Sequence, residues 1–435
     1  MKMVKVLFVL IAVVVTGYLL AVGIFTLAPA AKPGSLDTSF HSPDGFVLFN
    51  NAANNKDRGV EVAVQEDDKI IVLGYSHNGI NEDVILARYN TDGRLDTGFG
   101  KGGFVLYNGG GNDRGLGLAL QKDKKILVTG YAYTGNQRDV LVLRYDVNGT
   151  PDSTFGTDGV VTYSSPGSGT DIGFGVAVQA DGSIIVVGET ANRTSQDAIV
   201  LRYTATGSPD NRFGTGGVFT YGSTGMDRGF STAIQQDGKI IVAGSSVVKN
   251  KDDVLVFRLT PNGTMDNTFG SGGAVLFSGA GDNFDYGNCV TLQADGKIVV
   301  SGAASDGRVF DCLLLRYNPD GTPDTTFGKD GVAVYSSADG KNNYGYAHVI
   351  QKDGRIVITG FTQKGESDDV LLVRFSHTGQ LDKTFGTAGV VTWNGTGNNM
   401  DYGQGIALQS DKKIVITGFS HTGANEDMLV MRFMQ

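Results

Sequence analysis

The chain has 435 residues, 40% hydrophobic and 19% charged, enough apolar material for a large core and no sign of general disorder. Its net charge of -9 and pI near 5.1, with Lys and Arg scattered and never striped, exclude a phosphate-backbone ligand, so no nucleic-acid partner is expected. The 64 glycines against 9 prolines and one Trp point to many tight turns between short strands, an all-β pattern.

The amino end begins Met1-Lys2-Met3-Val4-Lys5 and continues as an almost wholly apolar run to Ala31. Residues 1–31 therefore read as a signal anchor or a signal peptide, a helix either way. Ala28-Pro29-Ala30 resembles a small-residue cleavage site, whereas the run from residue 4 to 31 is long enough to span a bilayer core of about 30 Å. Both readings keep Lys2 and Lys5 inside, export residues 32–435, and place them in the cell envelope, either held by the membrane or released after cleavage near Ala30.

From Lys32 onward the chain repeats itself. A Phe in the setting Asp-x-x-Phe recurs at Phe40, Phe99, Phe155, Phe213, Phe269, Phe327 and Phe385. Gln65, Gln121, Gln179, Gln235, Gln293, Gln351 and Gln409 recur likewise, and each is followed 23 residues later by Arg88, Arg144, Arg202, Arg258, Arg316, Arg374 or Arg432. Five residues before each Arg stands an Asp, from Asp83 to Asp427. Seven copies in one chain show which positions the architecture demands and which it leaves free.

Each unit holds four strand-like runs, for example Phe104–Tyr107, Leu116–Gln121, Ile126–Gly130 and Val140–Tyr145. Asp-Gly in segments such as Gln235–Lys239 supplies the positive φ of a tight hairpin between the second and third runs. The fourth run is apolar on both faces, as in Cys312-Leu313-Leu314-Leu315, and needs a sheet on each side. Four-stranded antiparallel blades closed into a seven-bladed β-propeller over residues 32–435 satisfy all of this, and closure hides the sheet edges.

The motifs Leu95–Gly100, Val178–Ile184 and Asp139–Tyr145 resemble the delta-60 repeat family over about Leu36 to Gln435. That resemblance implies a bacterial, exported, propeller-like protein, and it implies no activity.

The uniform and the variable segments fall on different loops. Length varies in the first-to-second loop, as in Asn50–Asp57 and Ser164–Asp171, and sequence varies in the third-to-fourth loop, as in Tyr75–Glu82, Tyr131–Arg138 and Phe419–Glu426. In a meander both open on one face, where binding is expected to sit. The candidate binding residues there are Tyr75, His77, Glu82, Tyr131, Tyr133, Phe419, His421 and Glu426. The aromatics can stack on sugars or peptide side chains or pack between blades. His77 and His421 hold equivalent places in units that ring closure makes neighbours; a shared metal is one reading, two exposed histidines in similar units the blander one.

Asp57, Asp113, Asp171, Asp227, Asp285 and Asp401 open the second run, with Asn343 in the sixth unit. They are expected to accept backbone N–H bonds at turns rather than hold calcium, and the repeated Arg to clamp neighbouring backbone or an Asp. Cys289 and Cys312 are expected to stay unpaired because a strand separates them. No catalytic or metal motif and no cofactor signature is present. The reading that follows is a non-enzymatic interaction scaffold for a protein or glycan in the envelope. The alternatives are an enzyme at the channel mouth using His77, Glu82, His421 and Glu426, and a structural or adhesive component.

Overall fold

The computed structural model describes residues 31–435 except 52, 136, 167, 168, 192–195, 224, 280, 282 and 396. The amino-terminal helix, whether anchor or signal peptide, lies outside the described residues. The chain divides into two units, Met1–Ala31 and Lys32–Gln435. No helix among the described residues is long and apolar enough to cross a membrane.

Lys32–Gln435 is a seven-bladed β-propeller of four-stranded antiparallel sheets. In the first blade the strands run from the axis outward as Asp57–Val64, Ile70–His77, Glu82–Tyr89 and Phe104–Tyr107. Blade and sequence unit are out of phase: the outer strand of each blade is the first run of the following unit. The strand that enters a blade after the variable loop crosses from the rim to the axis, so successive blades are laced together by covalent chain.

The same offset closes the ring. The seventh blade takes three strands from the carboxyl end, Asp401–Leu408, Ile414–His421 and Glu426–Phe433, and its outer strand Phe46–Phe49 from the amino end. Phe46 pairs with Met431 and Phe49 with Met428, while Gly34 N donates to Met434 O at 2.8 Å. No blade is left with an open flank at the seam.

Burial follows distance from the surface. The third strand Glu82–Tyr89 is buried along its whole length, as its two-sided apolar pattern requires, and outer strands expose their third residue, Leu106 at 47% and Leu276 at 49%. The core is a set of layers between blades. Ile71, Leu73, Val84 and Leu86 of the first blade meet Val128, Leu141 and Leu143 of the second.

The repeated polar residues form one device. Arg316 Nε donates to Asp324 at 2.7 Å, its Nη1 donates to the His377 carbonyl of the next blade's connector at 2.8 Å, and the guanidinium lies 4.3 Å over the Phe327 ring. Arg88 does the same with Asp96, Val147 O and Phe99. At the seam Arg432 reaches Asp37 at 2.7 Å, Thr91 O at 2.5 Å and Phe40 at 4.8 Å. The Lys of the hairpin motif adds a second cation to the same carboxylate, Lys297 to Asp324 at 2.9 Å. The Arg thus clamps both backbone and an Asp, but it is the Asp of the Asp-x-x-Phe motif.

The Asp residues that open the inner strands are buried and accept backbone N–H groups of the entering loop: Asn51 N to Asp57 at 2.9 Å, Ser165 N to Asp171 at 2.7 Å, Gly395 N to Asp401 at 2.6 Å. Asn343 does equivalent work without charge, donating to Lys341 O and accepting from Thr362. Cys289 and Cys312 are free thiols with the strand Ile298–Ser305 between their strands.

Two stability tests follow. Asp324→Ala leaves Arg316 buried beside an empty site and is expected to cost ~3 kcal/mol in urea unfolding. Gly244→Ala is expected to cost about 2–3 kcal/mol, because a methyl group there runs into the carbonyl oxygen of Arg228 on the adjacent inner strand.

Candidate functional site

The inner strands line the axis. Each carries a β-bulge at its fourth residue, shown by the register shift between Gly59 and Glu61 and its equivalents in all seven blades. A bulge re-aims side chains. Here the bulged residues, among them Phe174, Phe230, Tyr346 and Gln404, line a central channel of about 490 Å³. The Gly opposite each bulge, such as Gly74 or Gly130, keeps the second strand close enough to pair with the distorted one.

On the variable face, side-chain contacts run round much of the channel mouth. One arc is charged. Arg58 donates to Glu426 at 2.5 and 2.6 Å, Arg114 pairs with Glu82, and Lys56 sits 3.9 Å from Glu82 and 3.7 Å from Glu426. Further round, Arg228 bridges Glu189 at 3.2 Å and Asp252 at 3.3 Å. The other arc is aromatic: Tyr286, Phe310, Tyr344, Phe361, Tyr402 and Phe419 follow one another with centroids 4.6–6.1 Å apart. Tyr286 reaches Asp252 at 3.4 Å at one junction, and Arg58 lies 3.9 Å over Phe419 at the other.

Electrostatics set the charge states. Burial raises the Glu426 carboxyl, but the hydrogen bond and charge of Arg58, with Lys56, outweigh it and hold it below its ordinary range. Burial pushes Glu189 up against the opposing pull of Arg228. Burial also raises the Tyr75 and Tyr131 phenols, leaving them neutral donors.

The candidate residues fall into two groups. Glu82 and Glu426 meet across the seam through Lys56. Tyr75, Tyr131 and Phe419 lie in second strands that run further than their sequence suggests, Ile70–His77, Ile126–Thr134 and Ile414–His421, so they stand in the wall of the mouth and not in loops. Arg114 covers Tyr75, and Arg138 covers Tyr131 at 4.8 Å and Tyr133 at 5.7 Å. His77 and His421 each accept a hydrogen bond from their own turn, Gly79 N and Gly423 N, both at 3.1 Å. No group of three or more His, Cys, Asp or Glu able to hold a metal occurs among the described residues.

Sequence reasoning missed the channel. At the residue after the bulge six blades carry Gly117, Gly175, Ser231, Cys289, Ala347 and Gly405, and the first carries Glu61. The signal was present in the alignment of the repeats, since one carboxyl among six small residues breaks a position set by close approach of neighbouring strands. The Glu61 carboxyl is half-buried on the channel wall, it accepts a hydrogen bond from Val62 N at 3.1 Å, and desolvation there pushes it up to about 7. His348, also on the channel wall, is bonded to Thr291 and Ser301, and burial drives it down to about 3, so it is neutral. Burial pushes the Cys289 thiol up to about 12.

Seven blades built from one recurring unit around a channel define a tandem-repeat β-propeller protein. A family model described as a domain of unknown function (DUF5122) beta-propeller matches residues 65–99, 121–155, 179–213, 235–269, 293–327 and 351–385. Each match runs from the repeated Gln to the repeated Phe; the seventh such stretch is split between Gln409–Gln435 and the amino-terminal Phe40, so six are contiguous. No curated protein matches the chain. Among solved structures it is similar to the polysaccharide lyase Uly1 (12% identity, 89% of this chain and 91% of that one, TM-score 0.49). It is also similar to Sqt1 of Chaetomium thermophilum (12%, 90% and 98%, 0.47) and to extracellular domains of Drosophila semaphorin 1b (9%, 90% and 86%, 0.46). Likeness at these values says nothing of ligand or chemistry.

The raised Glu61 pKa has a consequence for stability. The folded state prefers the protonated form, so no penalty exists below the ordinary carboxyl value of 4.5, it builds between there and about 7, and it is complete above. Glu61→Gln is expected to leave stability unchanged at about pH 4 and to raise it by on the order of 2 kcal/mol at about pH 8, read from urea midpoints.

Proposed function

We propose that this propeller is a recognition module of the cell envelope which takes a protein or glycan on its variable face, at the channel mouth, without chemical conversion. The observation that carries the reading is the contrast between faces. The hairpins and connectors of one face repeat from blade to blade and are tied by the Arg devices, whereas the residues at the mouth on the other face change around the ring, sorted into one charged and one aromatic arc. Grooves of about 550 and 810 Å³ on the uniform face include the repeated Gln, Asp and Lys of the hairpins in their lining, which the scaffold itself uses. A surface with ring faces beside hydrogen-bonding charges suits a sugar or a peptide carrying both apolar and polar groups.

In this reading residues 4–31 hold the propeller at the membrane outside the cytoplasm or release it after cleavage near Ala30, and the chain belongs with the delta-60 repeat proteins that its motifs resemble. Against the enzyme alternative stands the pairing of Glu82 and Glu426 with Arg114, Arg58 and Lys56 and the Nδ1 bond of each histidine to its own turn.

The test is capture of envelope glycans and proteins by the full chain beside Phe310→Ala and Asp252→Ala. Retention of a defined ligand that falls about tenfold in each variant supports the reading. Capture indifferent to both variants overturns the mouth as the site, and conversion of the captured ligand overturns its non-enzymatic character.

A further inference from the structure

The mouth leads into a channel with a chemistry of its own. Glu61 is the one carboxyl among the described residues that line it, and no Lys or Arg lines it to compensate the charge. The neighbours able to titrate, Cys289 and His348, are neutral. A second acceptor is also left over: Gln404 Oε1 is buried without any hydrogen-bond donor. Phe174 and Phe230, edge to face at 5.4 Å, and Tyr346 add aromatic surface to the same wall.

A structural role accounts poorly for this set. Six blades fill the Glu61 position with a small residue and keep the same strand geometry, so the scaffold does not need the carboxyl. A half-buried carboxylate with no cation beside it costs free energy when ionised, and so does a buried amide oxygen without a donor. Both costs vanish together if a ligand brings a positive charge and N–H donors. A metal ion fits less well, because one carboxylate and one amide oxygen fall short of the six to eight oxygens a calcium ion takes. Aromatic faces beside a carboxylate are, by contrast, the usual surroundings of an organic ammonium.

We propose that the central channel binds a small primary ammonium compound, whose nitrogen donates to the Glu61 carboxylate and Gln404 Oε1 while its carbon skeleton lies against Phe174, Phe230 and Tyr346. The site is separate from the mouth contacts and stands or falls independently of the function proposed for them.

The experiment is calorimetric titration of the detergent-solubilised full chain at about pH 8, above the Glu61 transition, with n-butylammonium chloride and with n-butanol as its neutral counterpart. The native chain is expected to bind the ammonium at least tenfold more tightly than the alcohol. Glu61→Gln, which the pH argument above expects to fold at least as well as the native chain, is expected to weaken ammonium binding roughly ten- to a hundredfold. Gln404→Leu is expected to weaken it severalfold, and Phe310→Ala at the mouth to leave it unchanged. Equal affinity for ammonium and alcohol, no measurable binding of either, or ammonium affinity indifferent to Glu61→Gln overturns the proposal.

Discussion

The three-way hold made by six of the seven repeated Arg residues is the interaction on which the ring depends. A buried ion pair by itself contributes little net stability, because desolvation offsets most of the attraction. Here the guanidinium fork does something a hydrophobic replacement does not: it fixes direction. One edge takes the Asp of its own connector, another donor takes a carbonyl in the next blade, and the flat face rests on a fully buried Phe. Six such joints, with a hairpin Lys or Arg drawn to the same Asp in most of them, set the step from blade to blade on one face, while Arg374 keeps Asp382 and Phe385 without a carbonyl partner among the described residues. Where the third unit has Ser183 in place of that Lys, Arg212 takes Asp210 at 2.9 Å instead. The carboxylate keeps a second cation by another route.

With one face fixed, the other is free to diverge. The inner strands show the division along a single element. Their first residue, Asp or Asn, is constrained because it satisfies the backbone of the entering loop; their third, Gly, because the neighbouring blade approaches closely. The second and fourth residues point to the mouth and the channel and have no such duty. Those are the positions that read Arg58, Arg114, Ile172, Arg228, Tyr286, Tyr344 and Tyr402, and Val60, Leu116, Phe174, Phe230, Asn288, Tyr346 and Gln404. The arcs at the mouth are products of that freedom, whereas the single carboxyl below them departs from a position that close approach otherwise keeps small.

The architecture was legible because the chain states it seven times. Spacing, hairpin glycines and two-sided apolar runs were enough for blade number and strand count, and the Asp, Arg and Cys expectations held in kind. What escaped was set by contacts that periodicity does not encode. The out-of-phase blade depends on strand pairing between units, not within one. The second strands outran their expected ends at Tyr131 and Phe419 because burial against the next blade sustains pairing through residues whose pattern looks like a loop. Tyr344 and Phe361 are cross-strand partners in one blade, but Tyr402 belongs to the next, and only the radial arrangement of blades sets it beside them. Glu61 was visible as an oddity, but its meaning required knowing that the strand carrying it lines the axis.

The seam in the seventh blade also imposes an order on events. Asp37 and Arg432 are 395 residues apart, so the joint between them closes a loop of nearly the whole propeller, at a high entropic cost of closure. Phe40 and the strand Phe46–Phe49 are made first and partnered last, since the strand they complete does not exist until the final residues are synthesised. Until then the growing chain is an open arc with an apolar flank at each end. Both ends of the propeller therefore report on one joint, and loss of either Phe46–Phe49 or Glu426–Phe433 reopens the circle.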